Sequence, residues 1–362
     1  MPPVNLLAIP EPEIKVFRRR LLFWFAGNKR DIPWRRTRDA YRIWLSEIML
    51  QQTRVAAVIP YYERFLEKFP TVQTLSRAKM ETVLSRWAGL GYYSRARNLH
   101  RAAKVIVAKH DGRFPRDYED TLALPGIGRY TAAAVLSIAY GQPFAALDGN
   151  VARVISRLGA VRGDLRAPAL WRKLETTTED LLDQRAPGDW NQAMMELGAT
   201  ICTPKSPRCE ECPVAGWCRA RKLGIAGELP ATRKKRSTVD VTLAAAVLLD
   251  PRGRTLLIRQ PGGDGALFSN LWQFPAVETT GGESAAGLAD HLSEKLGITL
   301  NGNFTPLETA RHSVTFRNIR LVPFLIRVAR LPRLAGSRVV ELSRIETLPI
   351  SNATRKIANS TV

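Results

Sequence analysis

The chain has 362 residues, 45% of them hydrophobic and 24% charged, which is ample for more than one buried core and excludes a disordered or low-complexity protein. Its 54 Lys and Arg against 33 Asp and Glu leave a net charge of +21, an excess that favours a polyanionic partner, DNA or RNA first. The longest uncharged run, Tyr130 to Leu147, is broken by Gly141 and Pro143 and is too short to span a bilayer comfortably, while Glu11 and Glu13 argue against a secretion signal.

In chain order, residues 1–218 read as helices joined by short turns. "IWLSEIMLQQTRVAAVIPYYERFLEKF" places apolar side chains every three or four residues and stops at Pro70. "METVLSRWAGLGYYSRARNLHRAAKVIVAKHDG" gives two helical patterns split at Gly89–Gly91 and ended by Asp111–Gly112. "DYEDTLALPGIGRYTAAAVLSIAYG" predicts a helix, a glycine hairpin and a second helix closed by Gly141. Residues 219–237 are charged, contain Pro and Gly and lack a hydrophobic face, so they are expected to form a linker. From 238 to 362 the texture changes. "VTLAAAVLLD-PRGR-TLLIRQ" is a hairpin pattern, "SAAGLADHLSEKLG" a helix and "IRLVPFLIRVARL" one or two strands, predicting a separate α+β domain. From Thr238 onward there are 14 basic and 10 acidic residues, leaving 40 basic and 23 acidic before it. The polyanion should therefore bind mainly to the helical part.

Every cysteine lies in "CTPKSPRCEECPVAGWC": Cys202, Cys209, Cys212 and Cys218. A cytoplasmic location makes disulfides improbable and leaves zinc or an iron–sulfur cluster. Zinc ribbons usually pair two distant Cys-x-x-Cys knuckles; one compact loop suits a single cubane better. In "LPGIG", residues 124–128, Gly126 and Gly128 form a turn whose backbone N–H groups, with the next helix N-terminus, suit a phosphate; the plainer reading is a tight turn. Asp148 in "ALDGNVARVISRL" is placed to cap a helix, and a helix N-terminus would keep its carboxylate ionised. Glu47 in "WLSEIMLQQT" is either a surface residue or, facing a cavity, an acid whose pKa desolvation raises. Sequence alone leaves that choice open.

Taken together, "LPGIGRYTA", "LDGNV" and the terminal cysteine loop resemble the helix-hairpin-helix DNA glycosylases that carry a [4Fe–4S] cluster. The strings "PWRRTRDAYRIWLSEIMLQQTRV", "WAGLGYYSRARNLH" and "NQAMMELGATIC" are similar to the adenine DNA glycosylase (MutY) branch, over nearly all of residues 15–218. The resemblance implies an all-α glycosylase domain with the cluster loop, followed by a Nudix-like α+β domain. It implies a cytoplasmic, nucleoid-associated monomer acting on double-stranded DNA with adenine opposite 8-oxoguanine or guanine. Glu47 is the implied acid and Asp148 the countercharge, with Tyr130 and Asn150 in support. Trp34, Arg35 and Gln192 are implied in the adenine pocket, and Leu50, Gln52, Thr53, Leu90 and Tyr92 against the strands and the opposing base. Trp34, Leu50 and Tyr92 are equally good core residues by type.

Two positions refine this. In the endonuclease III relatives the residue after "LPGxGR" is a lysine that attacks the sugar; here it is Tyr130, and a phenol forms no Schiff base. In the C-terminal domain the stretch "DHLSEKLG" keeps only Glu294 of the metal-binding Nudix glutamates, with His291 and Lys295 in the other two places. The domain is therefore expected to bind rather than hydrolyse. The family's Phe-Ser-His lesion element corresponds to Val314, Thr315 and Phe316, so only the Thr315 hydroxyl is kept. Three competing activities are an endonuclease III-like glycosylase of oxidised pyrimidines, an idle lesion-binding protein and a nucleotide hydrolase. Tyr130, the Glu47–Asp148 pair and the missing glutamates, respectively, weigh against them.

Overall fold

The computed structural model describes residues 6–7, 9–231, 237–259, 268, 271–279, 284–298, 304–314 and 316–361. The chain divides into two compact units, Met1–Arg77 with Arg97–Lys234, and Ala78–Ala96 with Lys235–Val362. Its helices are α1 (Glu11–Asn28), α2 (Ala40–Leu50), α3 (Val55–Lys68), α4 (Val72–Arg77), α5 (Met80–Trp87), α6 (Tyr93–Lys109) and α7 (Tyr118–Leu122). They continue with α8 (Arg129–Tyr140), α9 (Gly149–Leu158), α10 (Pro168–Leu181), α11 (Pro187–Thr200) and α12 (Arg219–Lys222). Among the described residues none of the helices is long and apolar enough to cross a membrane.

The first unit is all helix, as its 3.6-residue periodicity predicts. One core gathers Phe17, Leu21 and Phe25 of α1, Val151, Val154, Ile155 and Leu158 of α9, Leu174 and Leu181 of α10, and Trp190, Met194 and Leu197 of α11. Helices α2 and α8 also pack together, and Trp44, Leu45, Ile48 and Met49 of the first and Ala132, Val135 and Leu136 of the second are buried. The predicted hairpin joins α7 to α8. Gly126 has φ +79° there, and a Cβ on it would lie 2.6 Å from the Asn98 side chain, so both conformation and space require glycine. Gly141 ends α8 in the left-handed conformation.

The second unit holds β1 (Val239–Leu249), β2 (Arg254–Arg259), β3 (Trp272–Gln273), β4 (Ala276–Thr279), α13 (Ser284–Leu296), β5 (Thr305–Pro306), β6 (Ala310–Val314), β7 (Arg317–Arg327), β8 (Ser337–Glu341) and α14 (Asn352–Asn359). The mixed sheet has the order β3-β2-β1-β7-β5, with β1 and β7 parallel from Val239↔Arg317 to Leu249↔Arg327. Being central, β1 is buried on both faces. Ala244, Ala246 and Leu248 pack with Leu288 and Leu292 of α13, while Ala245 and Val247 share a core with Ile357 of α14. This period-two division confirms the predicted α+β class.

Two boundaries differ from the sequence expectation. Residues 78–96 group with the C-terminal sheet rather than with the helical unit. The stretch 219–237 is also not linker throughout: α12 follows Cys218 directly, and Ala220, Ala226 and Leu229 are buried in the helical core. Its charge conceals these apolar contacts because the buried positions are few and spaced among exposed Arg and Lys. Residues 232–236 lie outside the described part. Leu229→Ala should accordingly lower unfolding free energy by about 2–5 kcal/mol, the usual cost of emptying a buried leucine site, in urea denaturation. A linker residue would show no change.

Candidate active site

Helix α2 is buried along almost its whole length, and Glu47 is carried inward with its neighbours to 6% exposure. The first turn of α8 delivers Tyr130, whose hydroxyl donates to Glu47 Oε2 at 2.7 Å. Burial, opposed by that bond and by Arg35 and reinforced by Asp148, pushes the Glu47 carboxyl up to about 7. The choice left open by sequence is settled: this glutamate is an interior acid. Burial likewise holds the Tyr130 phenol far above its ordinary range, so it is a neutral donor.

Asp148 caps α9, accepting from Val151 N at 2.7 Å and from Asn150 Nδ2 at 2.8 Å. The cap is as predicted. Burial raises the Asp148 pKa above the ordinary value despite the bonds from Val151 and Asn150 that hold it down. The two carboxyls differ in partners: Asp148 receives a donor on each oxygen, whereas Glu47 receives one.

Glu47, Tyr130, Asp148 and Asn150 line one cleft of about 1080 Å³, shared with Trp34, Arg35, Leu50, Gln52, Thr53 and Gln192. Trp34 is buried and meets the Tyr62 ring edge-on at 5.3 Å. Gln52, exposed on the turn between α2 and α3, has φ +57°. Gly126 and Gly128 are exposed on the hairpin and are not among the cleft residues. Leu90 and Tyr92 belong to the second unit; Leu90 is buried, and Tyr92 is 46% exposed with φ +49°. Thr315 lies outside the described residues.

Sequence reasoning missed the groups that hold this cleft. Glu196 is buried, and although burial opposes its ionisation, Arg30 and Arg35 hold its carboxyl down at about 2. Arg30 bonds it through Nε at 2.8 Å and Nη2 at 2.6 Å, and Arg35 through Nη2 at 2.8 Å. Gln192, Met195, Glu196 and Ala199 follow i, i+3, i+4, i+7 spacing on α11 and all line the cleft, a signal that was present in "NQAMMELGATIC". Arg153 was also missed. It joins Asn150 Oδ1 (2.9 Å) to the carbonyls of Gly198 (2.7 Å) and Cys202 (2.8 Å).

One turn further along α9, Arg157 is buried and donates to Cys202 Sγ at 3.3 Å, Thr203 O at 2.7 Å and Leu229 O at 2.8 Å. All four cysteines are free thiols lining one cavity beside it. Burial pushes the Cys212 thiol up to about 12, so a thiolate there requires a cationic partner. Among the described residues no three His, Cys, Asp or Glu groups converge to hold one metal ion. Four thiols around one cavity, with Arg157 available to stabilise sulfur charge, are a donor set suited to an iron–sulfur cluster.

Comparisons with known proteins agree with this geometry. Residues 45–179 match the HhH-GPD superfamily of base excision DNA repair proteins, and residues 202–218 match the iron–sulfur binding domain of endonuclease III. The chain is 30% identical over 333 residues to the adenine DNA glycosylase of Buchnera aphidicola from Schizaphis graminum, covering 90% of this chain and 91% of that protein. It belongs to the adenine DNA glycosylase family. The human adenine DNA glycosylase is 40% identical over 316 residues, covering 73% of this chain and 58% of the human one. The chain spans 58–61% of the length of the human, rat and mouse glycosylases. Among solved structures, a thermostable thymine-DNA glycosylase is similar at 31% identity and TM-score 0.53, covering 59% of this chain and 98% of its own. An endonuclease III–DNA covalent intermediate is similar at 25% identity and TM-score 0.51, covering 60% and 99%.

The cysteine loop of this adenine DNA glycosylase family member is thus an iron–sulfur site, held by Cys202, Cys209, Cys212 and Cys218 for a [4Fe–4S] cluster. The purified protein should be brown and contain iron and inorganic sulfide in equal amounts, four of each per chain. Metal analysis finding a single zinc and no sulfide would overturn the assignment. Glu196→Gln should lower stability by roughly 1–3 kcal/mol, because it leaves the buried Arg35 facing an uncharged group while the part-exposed Arg30 can turn to water; thermal unfolding reads this directly.

Proposed function

We propose that this protein removes adenine mispaired with 8-oxoguanine or guanine in double-stranded DNA, by acid-assisted hydrolysis of the N-glycosidic bond. The observation that carries the reading is the Glu47–Tyr130–Asp148 arrangement in one cleft: a carboxyl that burial keeps protonated to about pH 7, beside a second with a donor on each oxygen. Adenine leaves poorly as an anion, so it must be protonated as the bond breaks, most simply at N7. The Tyr130 bond to Glu47 Oε2 leaves Oε1 to carry that proton. As the base departs, positive charge grows on the deoxyribose, and Asp148, fixed by Val151 and Asn150, is the group placed to stabilise it.

A base inside the duplex cannot reach a buried carboxyl, so the adenine must be flipped out of the stack. The cleft supplies Trp34, Arg35 and Gln192 for the extruded base. The exposed hairpin of Gly126 and Gly128, at the start of α8, supplies backbone N–H groups for a phosphate. The +21 charge favours the polyanion from a distance. The cluster, when bound, fixes the loop between Cys202 and Cys218. We further read the C-terminal α+β unit as a Nudix-like module that reads the base opposite the adenine rather than hydrolysing nucleotides. In this reading the protein works as a monomer, in the compartment that holds the chromosome, the bacterial cytoplasm.

Tyr130 in place of a lysine makes the expected activity monofunctional: strand breaks should appear only after alkali or heat, and borohydride should trap little protein on DNA. Single-turnover excision from A:8-oxoguanine and A:G duplexes tests the roles. Glu47→Gln and Asp148→Asn should each lose roughly 10²-fold or more, while DNA affinity persists because phosphate contacts dominate it. Either variant excising at the unaltered rate removes that residue from the mechanism. Because the acid must be protonated and its pKa is raised to about 7, the rate should fall about tenfold per unit above that pH. Glu47→Gln should abolish that limb.

A further inference from the structure

The turn between α5 and α6 carries an exposed aromatic in a costly backbone conformation. Tyr92 has φ +49°, flanked by Gly89 at +100° and Gly91 at +77°, and its ring is 46% exposed. A bulky residue in the left-handed region persists only where its surroundings over-determine it, and such residues cluster at functional sites. Here every carbonyl of the turn has a donor. Asn352 Nδ2 reaches Gly89 O at 3.3 Å, Arg95 Nη2 reaches Leu90 O at 3.4 Å, Trp87 Nε1 reaches Gly91 O at 3.0 Å, and Arg95 N reaches Tyr92 O at 2.9 Å.

Part of this scaffold is local, but part comes from more than 250 residues away. Asn352 is the first residue of α14, whose start is fixed by the Ser351 side chain accepting from Thr354 N at 3.0 Å. Tyr93, the next residue after the strained one, donates its hydroxyl to Ile350 O at 2.8 Å and accepts from Gly89 N at 3.4 Å. The Pro349–Ile350 segment is held in turn by Trp272, whose N bonds Pro349 O at 2.9 Å. Trp272 Nε1 and Arg338 both bond Glu81 of α5. The C-terminal sheet therefore grips α5 at one end and the glycine turn at the other.

We propose that Tyr93 and Asn352 are positioning residues through which the C-terminal α+β segment holds the Gly89–Tyr92 turn, and with it the exposed Tyr92 ring, in the form that discriminates the base opposite the adenine. The inference rests on the glycosylase reading above and adds a route by which the C-terminal segment affects specificity without touching the lesion. Neither residue meets the substrate; each acts through the turn. A loosened turn leaves the chemistry at Glu47 and Asp148 intact but lets Tyr92 relax toward ordinary backbone angles, so its ring no longer meets DNA in one orientation.

The test uses the full-length, cluster-containing protein with Tyr93→Phe, Asn352→Ala and the double variant, each normalised for active sites. The double variant should lower the ratio of single-turnover rates on A:8-oxoguanine over A:G by about tenfold, the scale of losing one or two orienting hydrogen bonds. A merely destabilised protein would lose active fraction equally on both duplexes and keep the ratio. Tyr92→Ala should lower the ratio by itself, and combining it with the double variant should lower it no further, since the clamp acts only through that ring. Amide hydrogen exchange over residues 89–93 should accelerate in the double variant without DNA present. An unchanged ratio, additivity with Tyr92→Ala, or unchanged exchange overturns the proposal while leaving the glycosylase reading intact. Absence of excision by the unaltered protein sinks that reading instead, and exchange then still judges the clamp.

Discussion

The hydrogen bond from the Tyr130 hydroxyl to Glu47 is the interaction on which the cleft depends. A carboxyl among Leu45, Ile48 and Met49 is unfavourable as an anion and costly even when neutral unless a polar partner meets it. Tyr130 supplies that partner from α8, and the packing of α2 on α8 fixes the two side chains at bonding distance. The result is an acid whose proton is retained near neutrality by burial, with a donor that leaves one oxygen available. A tyrosine here does what a lysine would not: it adds no positive charge to drive Glu47 toward ionisation.

Helix α9 organises the remainder. Its N-terminus bears Asp148, its first turn Asn150, its second turn Arg153 and its last turn Arg157. A series of hydrogen bonds runs from Asp148 through Asn150 and Arg153 to the Cys202 carbonyl, and Arg157 reaches the Cys202 sulfur directly. The cysteine loop and the anionic side of the cleft are thus set by one rigid element. Close approach makes this possible: on α11, a Cβ at Gly198 would lie 2.7 Å from Asn150 Cβ. Buried arginines in such a place are retained only because carbonyls, a carboxamide and a sulfur satisfy them.

Much of the site was legible because its signals are local. The hairpin at Gly126, the cap at Asp148 and the four-cysteine loop each need only a few consecutive residues, so backbone preferences and spacing reveal them. Glu196 and Arg30 meet across 166 positions, and neither carries a mark in its own neighbourhood beyond the helical face it shares with Gln192. The limits of the units were misread for the same reason. Ala220, Ala226 and Leu229 look like a charged linker until the helical core is seen to close over them, and residues 78–96 read as ordinary helix until the sheet that holds them is in view.

The sequence by itself determined the class of each half, the glycine stop of α8, the Asp148 cap of α9 and the identity of the cysteine ligands, because periodicity, capping and ligand spacing act over one or two turns of chain; it did not show the break at 51–54 that separates α2 from α3. Only the tertiary structure decided that Glu47 is an interior acid rather than a surface residue, and that burial rather than the helix terminus dominates Asp148. The same holds for Tyr92, whose strained turn is anchored from α14. Each of these depends on desolvation or on partners distant in sequence, and such quantities exist only once the chain has closed around the group concerned.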